Sequence, residues 1–184
     1  MVGLFGGAER IIRAGISMLQ PLSQAFFPRV SHSAVKDLEE AGRLLGLSLV
    51  WIGGLSLIMG ATSFLASHIL VNILLGPGYE SAVPILQALS VLLPIIGVGT
   101  VFGIQWALPW GFELPFSGLV VLAGVLNLVL AFLLVPRFGA MGMVGSVVTA
   151  EALVASGLIV LFHRKGGSLW PLRIAPTESE HEHV

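Results

Sequence analysis

The sequence contains no cysteine, and that absence closes several chemistries at once. Without a thiol there is no disulfide framework, no cysteine-ligated zinc, no iron–sulfur cluster and no thiol nucleophile. Charge is nearly as scarce: Asp, Glu, Lys and Arg make up 10% of the 184 residues, against about 25% in an average globular chain. Nine Lys and Arg, scattered rather than clustered, cannot build the phosphate-tracking stripe of a nucleic-acid binder, so nucleic acid is excluded as a main partner. No G-x4-G-K-[ST] string occurs, which excludes ATP binding through a P-loop. What is present is apolar: 55% of the residues are hydrophobic, and the mean hydropathy is +0.96. A body of this size could not be covered by its own polar side chains. The solvent that suits it is the lipid bilayer.

The few charges punctuate the chain. Between Arg43 and Glu80 lie 36 residues without a formal charge, between Glu80 and Glu113 there are 32, and between Glu113 and Arg137 there are 23. About 20 apolar residues cross the hydrocarbon core as a helix, so each gap holds a crossing. A fourth stretch, Ala140 to Phe162, is interrupted only by Glu151. A fifth, Ile11 to Phe27, is shorter and follows Glu9 and Arg10. A closed barrel, the other structure that satisfies its backbone in lipid, would show ten-residue alternation between turns. None is visible. The fold class expected is therefore all-α, a polytopic membrane helix bundle of about five spans: 5–28, 43–65, 82–107, 115–136 and 140–163. These form one transmembrane lobe over 1–163, with a disordered tail over 164–184.

The region 43–79 is too long for one crossing, since 36 helical residues would run about 54 Å. Gly60-Ala61-Thr62-Ser63 and Ser67-His68 mark the expected exit. Ile69–Leu75 is then a short interfacial segment, ended by Gly76-Pro77-Gly78. Basic residues set the orientation. The connection at 29–43 holds Arg29, Lys36 and Arg43, and the tail holds Arg164, Lys165 and Arg173, whereas Arg137 stands alone on the opposite side. Six against one places the 29–43 loop and the C-terminus in the cytoplasm. Five crossings then put Met1 outside with no signal peptide, which suggests a preceding segment. Pro21, Pro84 and Pro94 interrupt spans, and Gly97, Gly99 and Gly103 read as sites of close helix approach or as a gating hinge.

Arg10 and Arg13 are one helical turn apart, and Glu9 lies four residues before Arg13, where it can pair with it. Two guanidinium groups on one face suit a pyrophosphate. The plainer reading is that all three anchor a helix end at the membrane interface. Glu151 is different because it lies in the middle of its span, too deep to reach water easily. It reads either as a proton-coupling carboxyl or as a structural group bonded to Asn127, Gln105 or Ser146 on neighbouring helices. Two further patterns are weak. His32 and Asp37 have the H-x4-D spacing of some acyltransferases but no second motif. The acidic, His-containing run 178–183 reads as a solvated tail rather than a metal site. No metal, cofactor or catalytic residue is expected.

Four strings carry a resemblance: VGLFGGAER at 2–10, QPLSQAFFPRVS at 20–31, LGPGYESAVPIL at 75–86 and VPRFGAMG at 135–142. In this order and spacing they are similar to the second half of bacterial polysaccharide biosynthesis flippases. That family belongs to the multidrug, oligosaccharidyl-lipid and polysaccharide exporter superfamily. The first two strings look like the family's eighth helix. The resemblance implies two six-helix lobes around a central cavity, alternating access, and a cargo of sugar chain on a polyprenyl pyrophosphate. This chain would be most of the second lobe, with an N-terminal lobe as its partner, in the cell membrane and without enzymatic activity. The basic side chains of such a cavity meet the anionic head of the cargo, which casts Arg10 and Arg13, with Glu9, as substrate-binding residues. A multidrug or cation exporter lobe, and a truncated protein without transport, are the alternative readings. With no P-loop, transport would draw on an ion gradient, a membrane potential or consumption of the cargo.

Overall fold

The computed structural model describes residues 2–165, and every regular element among them is helical. We number six helices. They are α1 (Val2–Lys36), α2 (Leu38–Leu65), α3 (Ser67–Leu74), α4 (Glu80–Ala107), α5 (Glu113–Phe138) and α6 (Ala140–Arg164). Four of them, α2, α4, α5 and α6, are long and apolar enough to cross a membrane. The expected spans 43–65, 82–107, 115–136 and 140–163 fall inside these four. The span 5–28 falls inside α1, which has the length but is more polar than the others.

The largest departure from expectation is the connection at 29–43, which is helical rather than a loop. Helix α1 continues through Pro21 and Pro28 to Lys36, and α2 begins at Leu38. A proline in a helix removes one amide hydrogen bond and disturbs the preceding turn. Neither break ends α1, because both prolines lie on its exposed side. The reversal is made at Asp37 alone, whose extended backbone (φ −150°, ψ 99°) lets its carboxylate accept from the amides of Glu39 and Glu40. That is an N-cap, reinforced by Glu39 and Glu40 in the first turn of α2.

Neither α2 nor α4 is a uniform helix. The first widens into a π-turn at Leu49–Gly53. The second starts as a 3-10 turn at Glu80–Ala82, is interrupted at Val91, and widens into π-helix at Val101–Ala107. Pro94 explains the interruption, since it cannot donate to the carbonyl of Ser90. Gly60 of α2 lies against that carbonyl: a Cβ added there would sit 3.0 Å from the Ser90 oxygen and 3.0 Å from Pro94 Cδ. One turn away, Gly97 lies so close to Ser56 that no side chain fits between them. Small residues four apart thus seat α2 on α4 in the manner of membrane helix pairs. Gly99 and Gly103, also read as sites of close approach, differ from each other. Nothing lies within 4 Å of a Cβ at Gly99, whereas one at Gly103 would meet the Phe116 ring at 2.7 Å.

Two apolar clusters hold the bundle. One joins Ala8 and Ile12 of α1, Val71 of α3, Leu86 and Leu93 of α4 and Val144 of α6. The other joins Leu45 and Ile52 of α2, Phe102 and Trp106 of α4, and Leu158 and Phe162 of α6, with Leu22 and Phe26 of α1 against it. Phe162 is its hub, meeting Phe102 and Trp106 edge-on at 5.2 and 5.1 Å, the favoured aromatic arrangement. Because each cluster takes the same end of α1, α4 and α6, these three helices run parallel and α2 runs against them. Buried serines add little polar cost. Ser48, Ser56, Ser90 and Ser146 each donate to a carbonyl three residues earlier in their own helix, a local bond that leaves no orphan hydroxyl.

Helices α5 and α6 form an antiparallel hairpin turned at Gly139 (φ 58°, ψ −131°). Glycine tolerates that positive φ, which a side chain disfavours. The backbones are closest at the turn, where a Cβ on Gly142 would lie 2.5 Å from the Leu134 carbonyl oxygen. Near the other end, a Cβ on Gly157 would meet Leu119 at 2.7 Å. Apart from this seam and the packing of Phe116 and Leu119 on the second cluster, α5 is bare, with Ala123 its one buried residue.

Candidate functional site

Helix α1 has two unlike faces. Ala8, Ile12, Leu19 and Val30 are buried in the bundle. On the opposite side Arg10, Arg13, Ser17, Gln20 and Gln24 are all exposed. Their spacing of three and four residues keeps them within an arc of about 80° at 100° per residue. They extend about 21 Å along the axis at 1.5 Å per residue. Glu9 borders this stripe and accepts from Arg13 Nη2 at 2.6 Å and Nε at 2.9 Å, both on Oε1. The pairing expected from the i,i+4 spacing is therefore formed. Arg10 is exposed on the same side, and no ion pair other than Glu9–Arg13 occurs among the described residues. The three charges leave the upper part of the stripe with a net charge of +1.

Glu151 occupies a different setting. It is half-buried in α6, between Val147 and Val148, which pack on the first cluster, and Val154, which packs on the second. The contacts of Leu134 with Gly142 and of Leu119 with Gly157 fix the register of the hairpin. They put Asn127 level with Thr149, about 3 Å along the axis from Glu151. Depth is thus shared, but bonding is not. Among the described residues Glu151 makes no hydrogen bond to Asn127, Gln105 or Ser146. Ser146 donates to Met143 O at 2.9 Å, and Thr149 donates to Gly145 O at 2.8 Å. Asn127 Oδ1 and both amide atoms of the fully buried Gln105 have no partner.

The two weaker patterns resolve differently. Asp37 is committed to the cap of α2 and His32 is exposed on α1, so the H-x4-D spacing does not hold a base. The run 178–183 lies outside the described residues. Among the described residues no group of three or more His, Asp or Glu is placed to hold a metal.

No family model matches the chain, and no solved structure does. A protein of Escherichia coli (strain K12) named "Putative O-antigen transporter" is 37% identical over 166 residues, covering 89% of this chain and 39% of that protein. This likeness supports a polysaccharide and O-antigen transporter family for the chain. A protein of the same name from Shigella dysenteriae is 29% identical over 155 residues, covering 84% of this chain and 38% of its own length. The chain spans about two fifths of the length of these relatives.

Four apolar helices and the likeness to transporters together mark a multi-pass membrane protein. The part of the α1 face that sequence reasoning missed is Ser17, Gln20 and Gln24. Their three-and-four spacing after Arg10 and Arg13 was the signal that could have found them. It went unseen because charge and hydropathy, rather than polar periodicity, marked that region.

Proposed function

We propose that this chain forms one lobe of a transporter that moves a lipid-linked oligosaccharide across the cytoplasmic membrane by alternating access, for cell-surface polysaccharide. The observation that carries this reading is the 37% identity, sustained over 89% of the chain, with a protein named for O-antigen transport. The α1 face supports it. A crossing helix with one apolar side in the core and one polar side facing out cannot turn that polar side to lipid without large cost. It belongs against water, and a cavity closed by the rest of a longer transporter provides it. Helix α1 is then the fifth crossing. Arg10 and Arg13 bind the pyrophosphate of the cargo, because a guanidinium fork matches phosphate oxygens. Glu9 holds Arg13 in place.

In a complete transporter carrying this lobe, Arg10→Ala and Arg13→Ala each lower polysaccharide export by about tenfold or more, the scale of a charge-assisted hydrogen bond. Arg→Lys at either position keeps part of the activity, since charge survives while the fork is lost. Undiminished export in both alanine variants, at normal protein levels, would return the arginines to an anchoring role.

Orientation follows from the basic residues. Lys36, Arg43, Arg164 and Lys165 gather at the end of the bundle where α1 and α6 finish and α2 begins, and that end is cytoplasmic. A reporter active only in the cytoplasm is therefore active when fused after Ser168 or within 33–38 and silent at Pro77. Activity at Pro77 would invert the topology. In this orientation Arg10 and Arg13 stand in the outer half of the membrane, with Gln24 nearer the cytoplasm.

A further inference from the structure

We infer that Ser17, Gln20 and Gln24, with the backbone carbonyls beside them, form an uncharged hydrogen-bonding track that binds the sugar part of the cargo. The inference rests on the transporter reading above and adds to it a binding surface for the neutral, hydroxyl-rich portion of the substrate. Three observations carry it. First, the three side chains continue the line of Arg10 and Arg13 along one exposed face. A cargo held by its pyrophosphate at the arginines therefore lies alongside them. Second, Gln20 and Gln24 make no side-chain hydrogen bond among the described residues, and the Ser17 hydroxyl donates only to Ala14 O. Their amides thus keep both donors and acceptors for a partner.

The third observation is the placing of the prolines. Pro21 and Pro28 are seven residues apart and exposed on this same side. Having no N–H, they deny the carbonyls of Ser17 and Gln24 their bonds from four residues on. Two backbone acceptors are thereby released beside two amide side chains. A sugar hydroxyl both donates and accepts, so this set complements it. An apolar helix face would leave these groups unsatisfied at a cost of several kcal/mol each, and a charged partner finds no counter-charge on α1 between Arg13 and Arg29.

The test uses the complete transporter with single cysteines at positions 17, 20 and 24, judged against the unsubstituted protein because this chain contributes no thiol. A sulfonated, membrane-impermeant maleimide should modify all three at least tenfold faster than a cysteine at Leu128, which is exposed on α5. Slow modification at 20 and 24 overturns the track, since the face is then covered by lipid or by another part of the transporter. Export is then measured in cells making either the full lipid-linked oligosaccharide or a cargo truncated to one sugar. Gln20→Leu and Gln24→Leu together should lower export of the full cargo about fivefold or more, the factor one net hydrogen bond supplies. Export of the truncated cargo should change little, and Gln→Asn at both sites should restore part of the loss. Arg10→Ala should impair both cargoes. Equal loss of both cargoes in the glutamine variants, or no loss, overturns sugar binding while the arginine result still upholds transport. Loss in neither glutamine nor arginine variants overturns both readings.

Discussion

Helices α1 and α5 are both largely exposed along one side, and the difference between those sides separates two kinds of surface. On α5 the exposed residues are Val121, Val125, Leu128, Phe132 and others of that type. On α1 a continuous strip of them is Arg10, Arg13, Ser17, Gln20 and Gln24, with Ala14, Met18, Pro21 and Ala25 beside it. The first side is what a helix presents to hydrocarbon. The second would leave donors and acceptors unsatisfied there. Fractional exposure alone would call the two helices alike, so in a membrane protein it is the chemistry of the exposed atoms that tells lipid from cavity. Attachment differs as well. Helix α1 touches both apolar clusters, whereas α5 is held by its seam with α6 and by Phe116 and Leu119 beneath the second cluster.

The strongest way to break this comparison is to exchange the chemistry of the two faces. Leu128→Arg on α5 places a charge near mid-span and should cost insertion about 2.5 to 3.5 kcal/mol. Ser17→Arg on α1 should insert and accumulate normally. A glycosylation-mapping assay of the two variants checks this, and equal insertion of both would erase the distinction.

A smaller effect is expected at the seam that is the main support of α5. Gly142→Ala sets a methyl group against the Leu134 carbonyl and should destabilise the protein by about 1 to 3 kcal/mol, read as a lower thermal midpoint in detergent. Gly99→Ala on α4 meets nothing within 4 Å and should leave the midpoint where it was.

The least effect is expected at Glu151. Glutamine keeps its shape and can still form hydrogen bonds but cannot take up or release a proton. If Glu151 is structural, Glu151→Gln is nearly silent and Glu151→Leu costs well under the roughly 1 kcal/mol of an interhelical hydrogen bond in membranes, since among the described residues it bonds to none of Asn127, Gln105 and Ser146. If it couples protons, Glu151→Gln accumulates normally and loses the pH dependence of export. We expect the structural outcome.

Much of the architecture is legible in the sequence. Gaps between charges located α2, α4, α5 and α6 to within a few residues, because a charge inside the hydrocarbon core is costly. The continuation of α1 to Lys36 was not legible. Pro28 and the polar run after it look like a loop, and only the packing of Val30 and Ser33 into the bundle shows why helix persists there. At the candidate site, the Glu9–Arg13 pair followed directly from four-residue spacing. The grouping of Glu151 with Asn127, Gln105 and Ser146 did not hold. Sequence position gives depth in the membrane but not the direction a side chain faces, and Ser146 was already satisfied by its own helix.

The corner at Asp37 has a mechanical consequence. Its amide donates to Ser33 and its carbonyl accepts from Ala41, so hydrogen bonding runs up to the bend from both sides with no slack chain between. Helix α1 cannot slide along its neighbour without unwinding a turn on one side or the other. At its far end α2 seats Gly60 against Ser90 and Pro94 and Ser56 against Gly97, and α1 meets the same stretch of α4 directly where Gly15 lies beside Leu93. The polar face of α1 is thereby tied to the break in α4 by two routes, the corner at Asp37 and the helix's own packing.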